Sequence, residues 1–504
     1  MRSSHINAFG AGARTSVRSS VRQHGASALQ TQRSVGHRCG LKSARRPRWP
    51  GRAAAGLAAF ALALWGDWPA TAAETSTNAR QAFITSPLSM ADVVNLALQQ
   101  NPAILRAKKD LEATQGVVVQ TRAVVVPKVA VTGSYGAVDK NDIDTFQAPG
   151  VTFGNSQNWA TQVKLVQSFY EGGRLLSSLR TARLLKQQAL LNYQTAVADV
   201  VLAVQVVYYD VLLAAQQITV EEAAVELLRR ELTDTTHRFD AGTVPRFNVL
   251  RAEVELANEQ PRLIAARNRF RIAKNNLANL LGFSIPPETF EDIPLKLAGK
   301  LDDDPYDIQL PRAILLALDR RPELEALRKG QALRKEDVIS AKAGYLPSLQ
   351  GYAGYDAHNS VLTQDLTEDR HGWIVGAQLV WNIFDGLRTR GRIMETTANY
   401  ERAGIELDDA ARRIELEVRT AYSNFIEARE VIESQKKVVE QGEEALRLAR
   451  SRADAGTGTQ LDVLSAQTAL TQARTTQNQA LHGYDVARAR LQRAMGVILP
   501  DQNG

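Results

Sequence analysis

The residues that could do chemistry in this chain are few and widely separated. Beyond residue 66 the histidines lack the short spacing that a metal site requires; they are His237, His358, His371 and His482. An acidic cluster at Asp302–Asp304 with Asp307 fits either a weak Ca²⁺ site or a solvated linker. The sequence contains no H-E-x-x-H, G-x-S-x-G, P-loop or G-x-G-x-x-G motif. These observations predict a protein that is not an enzyme and holds no metal or other cofactor.

The first 72 residues are typical of a secretory signal peptide with a long basic start. Residues 1–66 carry ten Arg and one Lys but no Asp or Glu, and the small residues Ala70-Thr71-Ala72 follow an apolar run at Ala53–Trp65. An organelle transit peptide is the alternative interpretation. Beyond residue 66 the chain holds 50 basic and 54 acidic residues, so the formal charge of +7 comes from the leader. The basic pI therefore does not indicate nucleic-acid binding.

The elements that would have to position a site are organised around a repeated turn. SRADAGTGTQLDVLSAQ at Ser451–Gln467 and HRFDAGTVPRFNVLRAE at His237–Glu253 share eight identities in seventeen, at a spacing of 214. In each copy a Gly that tolerates positive φ follows one helix, and a Thr is available to start the next. The residues predicted to form these helix–turn–helix tips are Gly242, Thr243, Gly456 and Thr457.

The duplication covers most of the chain beyond the leader. Pro, Trp and Gly pairs recur at spacings of 220 and then 214; they are Pro102/Pro322, Pro127/Pro347, Trp159/Trp373, Gly172/Gly386 and Gly282/Gly496. The change in spacing indicates one deletion in a surface loop. This predicts repeats at 89–282 and 309–496, a disordered start at 73–88, an irregular linker at 283–308 and a short disordered tail at 497–504.

Each repeat contains two segments typical of β-strands. One begins after Pro127 or Pro347, and the other begins at Trp159 or Trp373. Alternating side chains rich in Val, Tyr and Trp predict strands of about ten residues, which is close to what a tilted strand needs to cross a bilayer. The polar loops between them are Lys140–Gln157 and Ala357–Arg370.

The strand ends carry two further signals. Glycines are predicted to end the strands in both repeats; they are Gly172, Gly173 and Gly386. Aromatic side chains near the strand ends fit either a girdle at the lipid interface or ordinary barrel packing; they are Tyr135, Trp159, Tyr355, Trp373, Trp381 and Phe384.

After the strands the apolar period becomes that of a long helix. Apolar residues fall on alternating three- and four-residue steps from Ile414 to Ala449, and equivalent positions run from Val200 to Thr235. A stripe held over five heptads indicates coiled-coil-like packing. A helix over Arg174–Phe239 would be about 99 Å long at 1.5 Å per residue. Shorter helices are predicted to return over Phe247–Leu281 and Leu461–Met495.

This fold, mixed α and β, cannot close within one chain. Beyond the leader we find no run of about 18 apolar residues, so no transmembrane helix is expected and any crossing of a membrane would use strands. Four strands leave two open edges, which lipid does not tolerate. The sequence therefore predicts an oligomer that pools its strands into one barrel and its long helices beneath it.

The chain resembles the TolC-like outer-membrane efflux channels from Ser89 to Gly496. The resemblance rests on the two repeats, on their A-G-T and V-L-x-A turns, on the strand starts at Pro127 and Pro347, and on strand ends reading FYEGGR and IFDGLR. It implies a homotrimer with a shared transmembrane β-barrel and a periplasmic α-helical barrel. It also implies a passive exit duct for small-molecule efflux or type I secretion. Such a duct sits in outer-membrane lipid and meets an inner-membrane transporter through a periplasmic adaptor.

The resemblance also implies a pore entrance at the second-repeat turn. Asp462 falls on a position where acidic side chains ring the entrance, and three copies would attract cations. Ser465 and Asn248 stand at the other positions where the family has acidic side chains. Ala453 and Gly458 stand where the family has the tyrosine and arginine that latch the entrance. A loosely latched entrance is therefore expected. The competing interpretation of Asp462 is a solvated carboxylate at a helix start, favoured by the helix dipole.

A periplasmic coiled-coil scaffold or adaptor that never enters the membrane is the alternative function. An adaptor would be expected to carry one helical hairpin and a compact β domain. Two strand pairs within a duplication of 214 residues favour the channel.

Overall fold

The computed structural model describes residues 87–139, 146–148, 151–153, 156–283, 293–360 and 366–497. All of them belong to one unit, residues 80–504. The predicted leader at 1–72 lies outside the described residues, as do most of the predicted start and the tail beyond Val497.

Within the described residues, the first repeat contains four helices and four strands. In chain order they are α1 (Met90–Gln100), α2 (Pro102–Arg122), β1 (Lys128–Ala137), β2 (Phe146–Ala148), β3 (Val151–Phe153), β4 (Gln157–Glu171), α3 (Arg174–Asp240) and α4 (Arg246–Leu280). The described part of the second repeat follows the same order, with two strands. Its elements are α5 (Leu310–Arg320), α6 (Pro322–Lys342), β5 (Ser348–Asn359), β6 (Asp369–Val380), α7 (Arg388–Asp454) and α8 (Gln460–Ala494).

Proline breaks the first predicted helix of each repeat into two. Asn101 and Arg321, which precede the prolines, have ψ of 127° and 120°, outside the helical range. The Asn101 side chain then caps α2 by accepting hydrogen bonds from the backbone N–H groups of Ala103 and Ile104, at 2.7 and 3.3 Å. The structure therefore shows that each proline ends one helix and starts another.

The long helices α3 and α7 each span 67 residues, one more than predicted. The predicted seam faces the protein interior: in α7, Val418 and Phe425 are essentially buried. In α3, Val204 and Val211 occupy the equivalent positions and are equally buried. Apolar burial at heptad spacing explains why helices this long are stable, since packing rather than propensity supplies most helix stability.

Helix α3 also corrects one expectation. It contains an 18-residue stretch with a mean hydropathy of 1.8, so by length and composition alone it is apolar enough to cross a membrane. We expected no such segment beyond the leader. Its buried side chains, among them Val201, Tyr208 and Leu212, belong to a protein core shared with α1 and α4. Packing against neighbouring helices buries 44% of this apolar stretch within the single chain.

The main sheet is antiparallel with the strand order β1-β4-β5-β6. The strands are longer than predicted: β4 has 15 residues and β5 and β6 have 12 each. As a result β4 and β5 extend into segments that we expected to be loops. The first loop also holds a small antiparallel hairpin of β2 and β3.

The described part of the predicted linker, residues 283 and 293–308, contains no helix or named strand, and several of its residues belong to the core. Leu88, expected in the disordered start, pairs with Leu297 through backbone hydrogen bonds of 2.9 Å on both sides. Ile293, Leu295 and Leu301 are buried with the α3 side chains. These apolar residues lie between acidic and proline-rich segments without regular spacing, so the sequence pattern gave no sign of their burial.

Candidate functional site

The main sheet has two chemically different faces. Directly opposed residues share a face, so the register assigns every side chain to one side. Large apolar residues occupy one face; they are Val129, Val131, Tyr135, Trp159, Val163, Leu165, Tyr355, Trp373, Val375 and Leu379. Trp373 and Val375 are 80% and 78% exposed in the single chain. Exposed apolar area of this kind needs a partner, either lipid or protein.

The opposite face is mainly polar. Its polar members include Lys128, Thr132, Ser134, Gln162, Lys164, Glu171, Gln350, Asp356, His358, Arg370 and Gln378. Alternation of apolar and polar residues along a strand is the pattern of a barrel with lipid outside and water inside. Edge strands β1 and β6 each have only one neighbour in the described part of the chain.

Aromatic side chains lie near both ends of the sheet. At the loop end, Tyr355 and Trp373 make an edge-to-face contact with ring centroids 5.2 Å apart. At the opposite end, Trp381 is 58% exposed, and its indole N–H donates to the Tyr345 carbonyl at 3.1 Å. Phe384 beside it is 79% exposed. This arrangement fits the interfacial girdles of membrane barrels, which remain a prediction for these residues.

The predicted strand boundaries are placed unevenly. Pro127 and Pro347 directly precede β1 and β5, and Gly172 and Gly173 directly follow β4 with φ of 61° and 92°. Gly386, in contrast, lies six residues beyond the end of β6 and directly before Leu387, the N-cap residue of α7. It marks the helix start and does not end the strand, because the backbone from Trp381 to Asp385 is irregular.

The two hairpin tips have the same backbone geometry. Gly242 and Gly456 have φ of 73° and 74°, the left-handed region in which a Cβ is costly. The N–H of Thr243 donates to the Arg238 carbonyl at 2.9 Å, and that of Thr457 donates to the Arg452 carbonyl at 2.9 Å. These bonds satisfy carbonyls at the ends of α3 and α7.

The tip threonines do not start the following helices. The hydroxyls of Thr243 and Thr457 donate backwards to the Arg238 and Arg452 carbonyls, at 2.8 and 3.2 Å. The N-cap positions of the next helices lie two residues later, at Pro245 in the first repeat and at Thr459 in the second. The GTGT segment of the second turn offers two threonines, and only the fold decides which of them caps.

Asp462 forms a capping box with Thr459. Its carboxylate Oδ2 accepts from the Thr459 N–H at 2.9 Å and from the Thr459 hydroxyl at 2.7 Å. These bonds to the backbone and then to the hydroxyl of Thr459 lower the pKa of Asp462, so this exposed carboxylate is charged at neutral pH. The Ser465 hydroxyl donates to the Asp462 carbonyl at 3.0 Å. Asp462 thus acts as a carboxylate at the start of a helix, and its place in a ring around the pore remains a prediction.

The first-repeat tip lacks this box. Pro245 stands where the second repeat has Thr459, and Asn248 stands where it has Asp462. Pro245 provides no side-chain cap, and the Asn248 N–H donates to the Pro245 carbonyl at 3.0 Å. The capping hydroxyl and the carboxylate are therefore both absent from this turn, so its role at the entrance also stays a prediction.

Two contacts that the sequence did not reveal connect the hairpins. Arg238 Nη2 lies 2.8 Å from Asp454 Oδ1, so the end of α3 meets the end of α7. The Gln460 amide Nε2 donates to the Thr235 hydroxyl at 2.7 Å. The partners are more than 210 residues apart, and no local spacing indicates such pairs.

The acidic cluster of the linker is bound to neighbouring helices. Asp303 forms an ion pair with Lys436 of α7, and the Tyr484 hydroxyl donates to the Asp304 carbonyl at 2.7 Å. The Asp302 N–H lies 3.3 Å from Asp485 Oδ2. Within the described residues no group of three His, Cys, Asp or Glu side chains is placed to hold a metal ion.

A sheet with one apolar face, one polar face and two open edges, joined to helices of 67 residues, defines a subunit of an oligomeric outer-membrane channel.

Comparisons with known proteins agree. A sequence model of the family described as outer membrane efflux protein matches residues 93–283 and 313–497. Outer membrane protein TolC of Escherichia coli (strain K12) is 25% identical over 439 residues, which cover 82% of this chain and 84% of TolC. The alkaline protease secretion protein AprF of Pseudomonas aeruginosa is 25% identical over 418 residues, which cover 82% of this chain and 85% of AprF. The solved structure of the Campylobacter jejuni CmeC outer membrane channel aligns with a TM-score of 0.68 at 16% identity, covering 82% of this chain and 87% of CmeC.

The chain belongs to the outer membrane efflux protein family, since the family model covers well over half of it. The resemblance found in the sequence is confirmed, and so are the fold class, the outer-membrane location and the role as an exit duct. A trimeric channel that works with an adaptor and an inner-membrane transporter is what these relatives imply. The periplasmic scaffold is set aside, because the family is one of channels.

Proposed function

We propose that three copies of this chain close their sheets into one twelve-stranded barrel and serve as a passive exit duct. The observation that carries this proposal is the sheet itself. Its apolar face requires lipid, its polar face requires water, and its edges β1 and β6 require partners. Pairing of β1 with β6 of the next copy satisfies all three requirements at once.

The periplasmic ends of the hairpins provide the surface for the adaptor. Beside the tip glycines, Phe247 is 68% exposed and Leu250 and Leu461 are each 48% exposed. Exposed apolar side chains flanking a rigid turn suit insertion into a helical hairpin of a partner. An adaptor that grips these tips would connect the duct to an inner-membrane transporter, which supplies the energy. The chain itself then performs no chemistry.

The cargo is set largely by the transporter. Relatives with similar coverage include AprF, named for alkaline protease secretion, and the cobalt-zinc-cadmium resistance protein CzcC of Cupriavidus metallidurans, at 23% identity over 77% of this chain. We propose that this chain serves either efflux of small solutes or type I secretion.

Disulfide cross-linking between β1 and β6 tests the trimer directly. The only cysteine in the sequence, Cys39, lies in the leader, so introduced cysteines report without interference. Thr132→Cys in β1 is combined in turn with Gly372→Cys, Ile374→Cys or Gly376→Cys in β6. Within one chain β4 and β5 separate these strands by about 14 Å, too far for a disulfide.

The expected result is a ladder of linked dimers and trimers in outer membranes for one of the three combinations. Thr132→Cys alone is the matched control and should form none. Native mass spectrometry of the uncrosslinked protein in detergent should give the mass of three chains. Monomers in both measurements would overturn the proposal.

A further inference from the structure

Charge is distributed unevenly over the polar face of the sheet. Three cationic and two acidic side chains lie on it within the described strands; they are Lys128, Lys164, Arg370, Asp356 and Glu171. Asp356 Oδ2 lies 3.3 Å from His358 Nδ1, and Glu171 Oε2 lies 3.9 Å from Arg174 Nη1. Among the residues that the structure describes, none of the three cations forms an ion pair. Each carboxylate therefore has a basic side chain beside it, and the three cations outnumber the two carboxylates on this face.

Lys164 lies at the centre of this face. It is the midpoint of β4, and directly across from it stand Ala130 in β1 and Gly354 in β5. Neither neighbour has a side chain that could cover or neutralise an ammonium group. Lys164 Nζ lies 4.6 Å from the centroid of the Tyr352 ring, and this cation–π contact holds the charge over the polar face.

The nearest acidic position does not cancel this charge. Asp356 lies directly across from Gln162, one diagonal step from Lys164. Diagonal neighbours in a sheet are about 7–8 Å apart and long side chains can bridge them. Among the described residues, however, Asp356 Oδ2 lies 3.3 Å from His358 Nδ1 and forms no ion pair with Lys164. Lys128 and Arg370 lie towards opposite ends of the same face, so positive charge recurs along its length.

We propose that the interior of the outer-membrane barrel favours anions, with Lys164 as the residue that determines this preference and Lys128 and Arg370 adding to it. The inference rests on the proposed trimer, in which each position becomes a ring of three like charges. Charged rings within low-dielectric walls concentrate counter-ions and bias which solutes pass. The favoured cargo class is small anions that carry carboxylate, sulfate or phosphate groups.

The barrel and the periplasmic entrance would then have opposite preferences. Asp462 at the tip attracts cations if it forms the predicted ring, whereas Lys164 attracts anions from the far end of the duct. A blocker added from the extracellular side reaches the barrel first. The side of addition therefore separates the two sites experimentally.

Single-channel recordings with inorganic tripolyphosphate on the extracellular side test the proposal. We expect block of the wild-type pore in 0.1 M KCl, where the Debye length is about 10 Å. Lys164→Gln should weaken the block on the order of tenfold, because three charges leave the ring. It should also shift the zero-current potential in a KCl gradient towards cations. Lys164→Arg should retain both properties.

Two controls make each outcome decisive. Lys108→Gln removes an exposed charge from α2, away from the barrel, and should leave the block unchanged. In 1 M KCl the difference between wild type and Lys164→Gln should shrink, since the Debye length falls to about 3 Å. Trimeric pores that lack tripolyphosphate block, or whose block is the same in Lys164→Gln, would overturn this inference alone. A chain that forms neither trimers nor pores would overturn the proposed function instead.

Discussion

Arg238 Nη2 of the first repeat lies 2.8 Å from Asp454 Oδ1 of the second, so each hairpin tip contributes one charge to a bond between them. The two residues are not equivalent: Arg452 is the counterpart of Arg238, and Asp240 is the counterpart of Asp454. The duplication supplied both charges twice, and the fold pairs only one combination here. Ala453 and Gly458, at the expected latch positions, offer no charged side chain.

Asp454→Asn is predicted to loosen the two tips. Both partners are about half or more exposed, and a pair of this kind contributes about 0.2–1 kcal/mol. The ratio of open to closed pores should therefore rise by up to about fivefold per pair. Single-channel recordings in low salt measure this ratio directly.

Glu226→Gln is the matched control, because it removes an exposed pair with Arg230 inside α3 without touching the tips. High salt should reduce the Asp454→Asn effect through screening. Equal open probabilities for wild type and Asp454→Asn in low salt would show that the pair does not restrain the tips.

Asp462 offers a separate prediction, because charge and capping can be removed independently. Asp462→Asn should weaken block by multivalent cations added from the periplasmic side, while trimers still form. Thr459→Ala removes the capping hydroxyl and keeps the carboxylate, at a cost of about 1 kcal/mol in helix stability. The block should survive in Thr459→Ala.

The pH dependence of this block provides a second test. Hydrogen bonds from Thr459 hold the pKa of Asp462 below its usual range, so the carboxylate stays ionised at lower pH than an ordinary aspartate. Block by cations should therefore persist in mildly acidic solution. If cations block Asp462→Asn and Thr459→Ala pores as strongly as wild-type pores, Asp462 is a helix-capping residue without a role in the pore.

The helices were predictable from the sequence because their buried apolar residues recur at regular helical spacing. Val418 and Phe425 lie on the predicted seam and are buried, because a heptad repeat places its apolar side chains on one face of the helix. The tip glycines were equally clear, because positive φ is costly for any residue with a Cβ. Local rules with a strong energetic cause were thus sufficient for the hairpins.

The strand register and the contacts between hairpins were not predictable in this way. Alternation assigns side chains to the two faces of a sheet, but it does not specify which residues of neighbouring strands lie opposite each other. The irregularity between Ser168 and Tyr170 shifts the pairing of β4 with β5 further. The pairing of Lys164 with Gly354 is one such feature that the sequence pattern does not specify. The bond between Arg238 and Asp454 depends on the relative placement of two hairpins, which no single segment encodes.

The first hairpin should lose stability as the pH rises towards neutrality. Glu259 of α4 is nearly buried, and its pKa is raised to about 7, first by burial and then by the neighbouring Glu221 of α3, against the effect of Arg262. In the unfolded chain this group ionises near 4.5. Because the folded pKa is the higher one, its stabilising contribution is complete below pH 4.5 and is lost as the pH rises through 7.

Glu259→Gln should remove this dependence and raise the thermal midpoint at pH 8, measured by circular dichroism in detergent between pH 4.5 and 8. Glu253→Gln, on an exposed position of the same helix, is the control. The second hairpin has Gln435 and Ala473 at the equivalent positions, so it contributes no such pair. An identical pH profile for wild type and Glu259→Gln would contradict the prediction.

Repeat-equivalent glycines at the starts of the long helices should differ in their tolerance of a side chain. Gly172 and Gly386 have φ of 61° and 68°, so alanine is strained at both, by about 1–2 kcal/mol. A Cβ on Gly172 would also lie 2.7 Å from the Ala343 carbonyl oxygen, whereas a Cβ on Gly386 meets nothing within 4 Å.

Gly172→Ala should therefore lower the thermal midpoint of the trimer more than Gly386→Ala. The second repeat has Leu387 at φ 69° where the first has Gly173, so this turn accepts a side chain at positive φ. Equal losses in the two variants would mean that the segment around Ala343 moves aside at no cost.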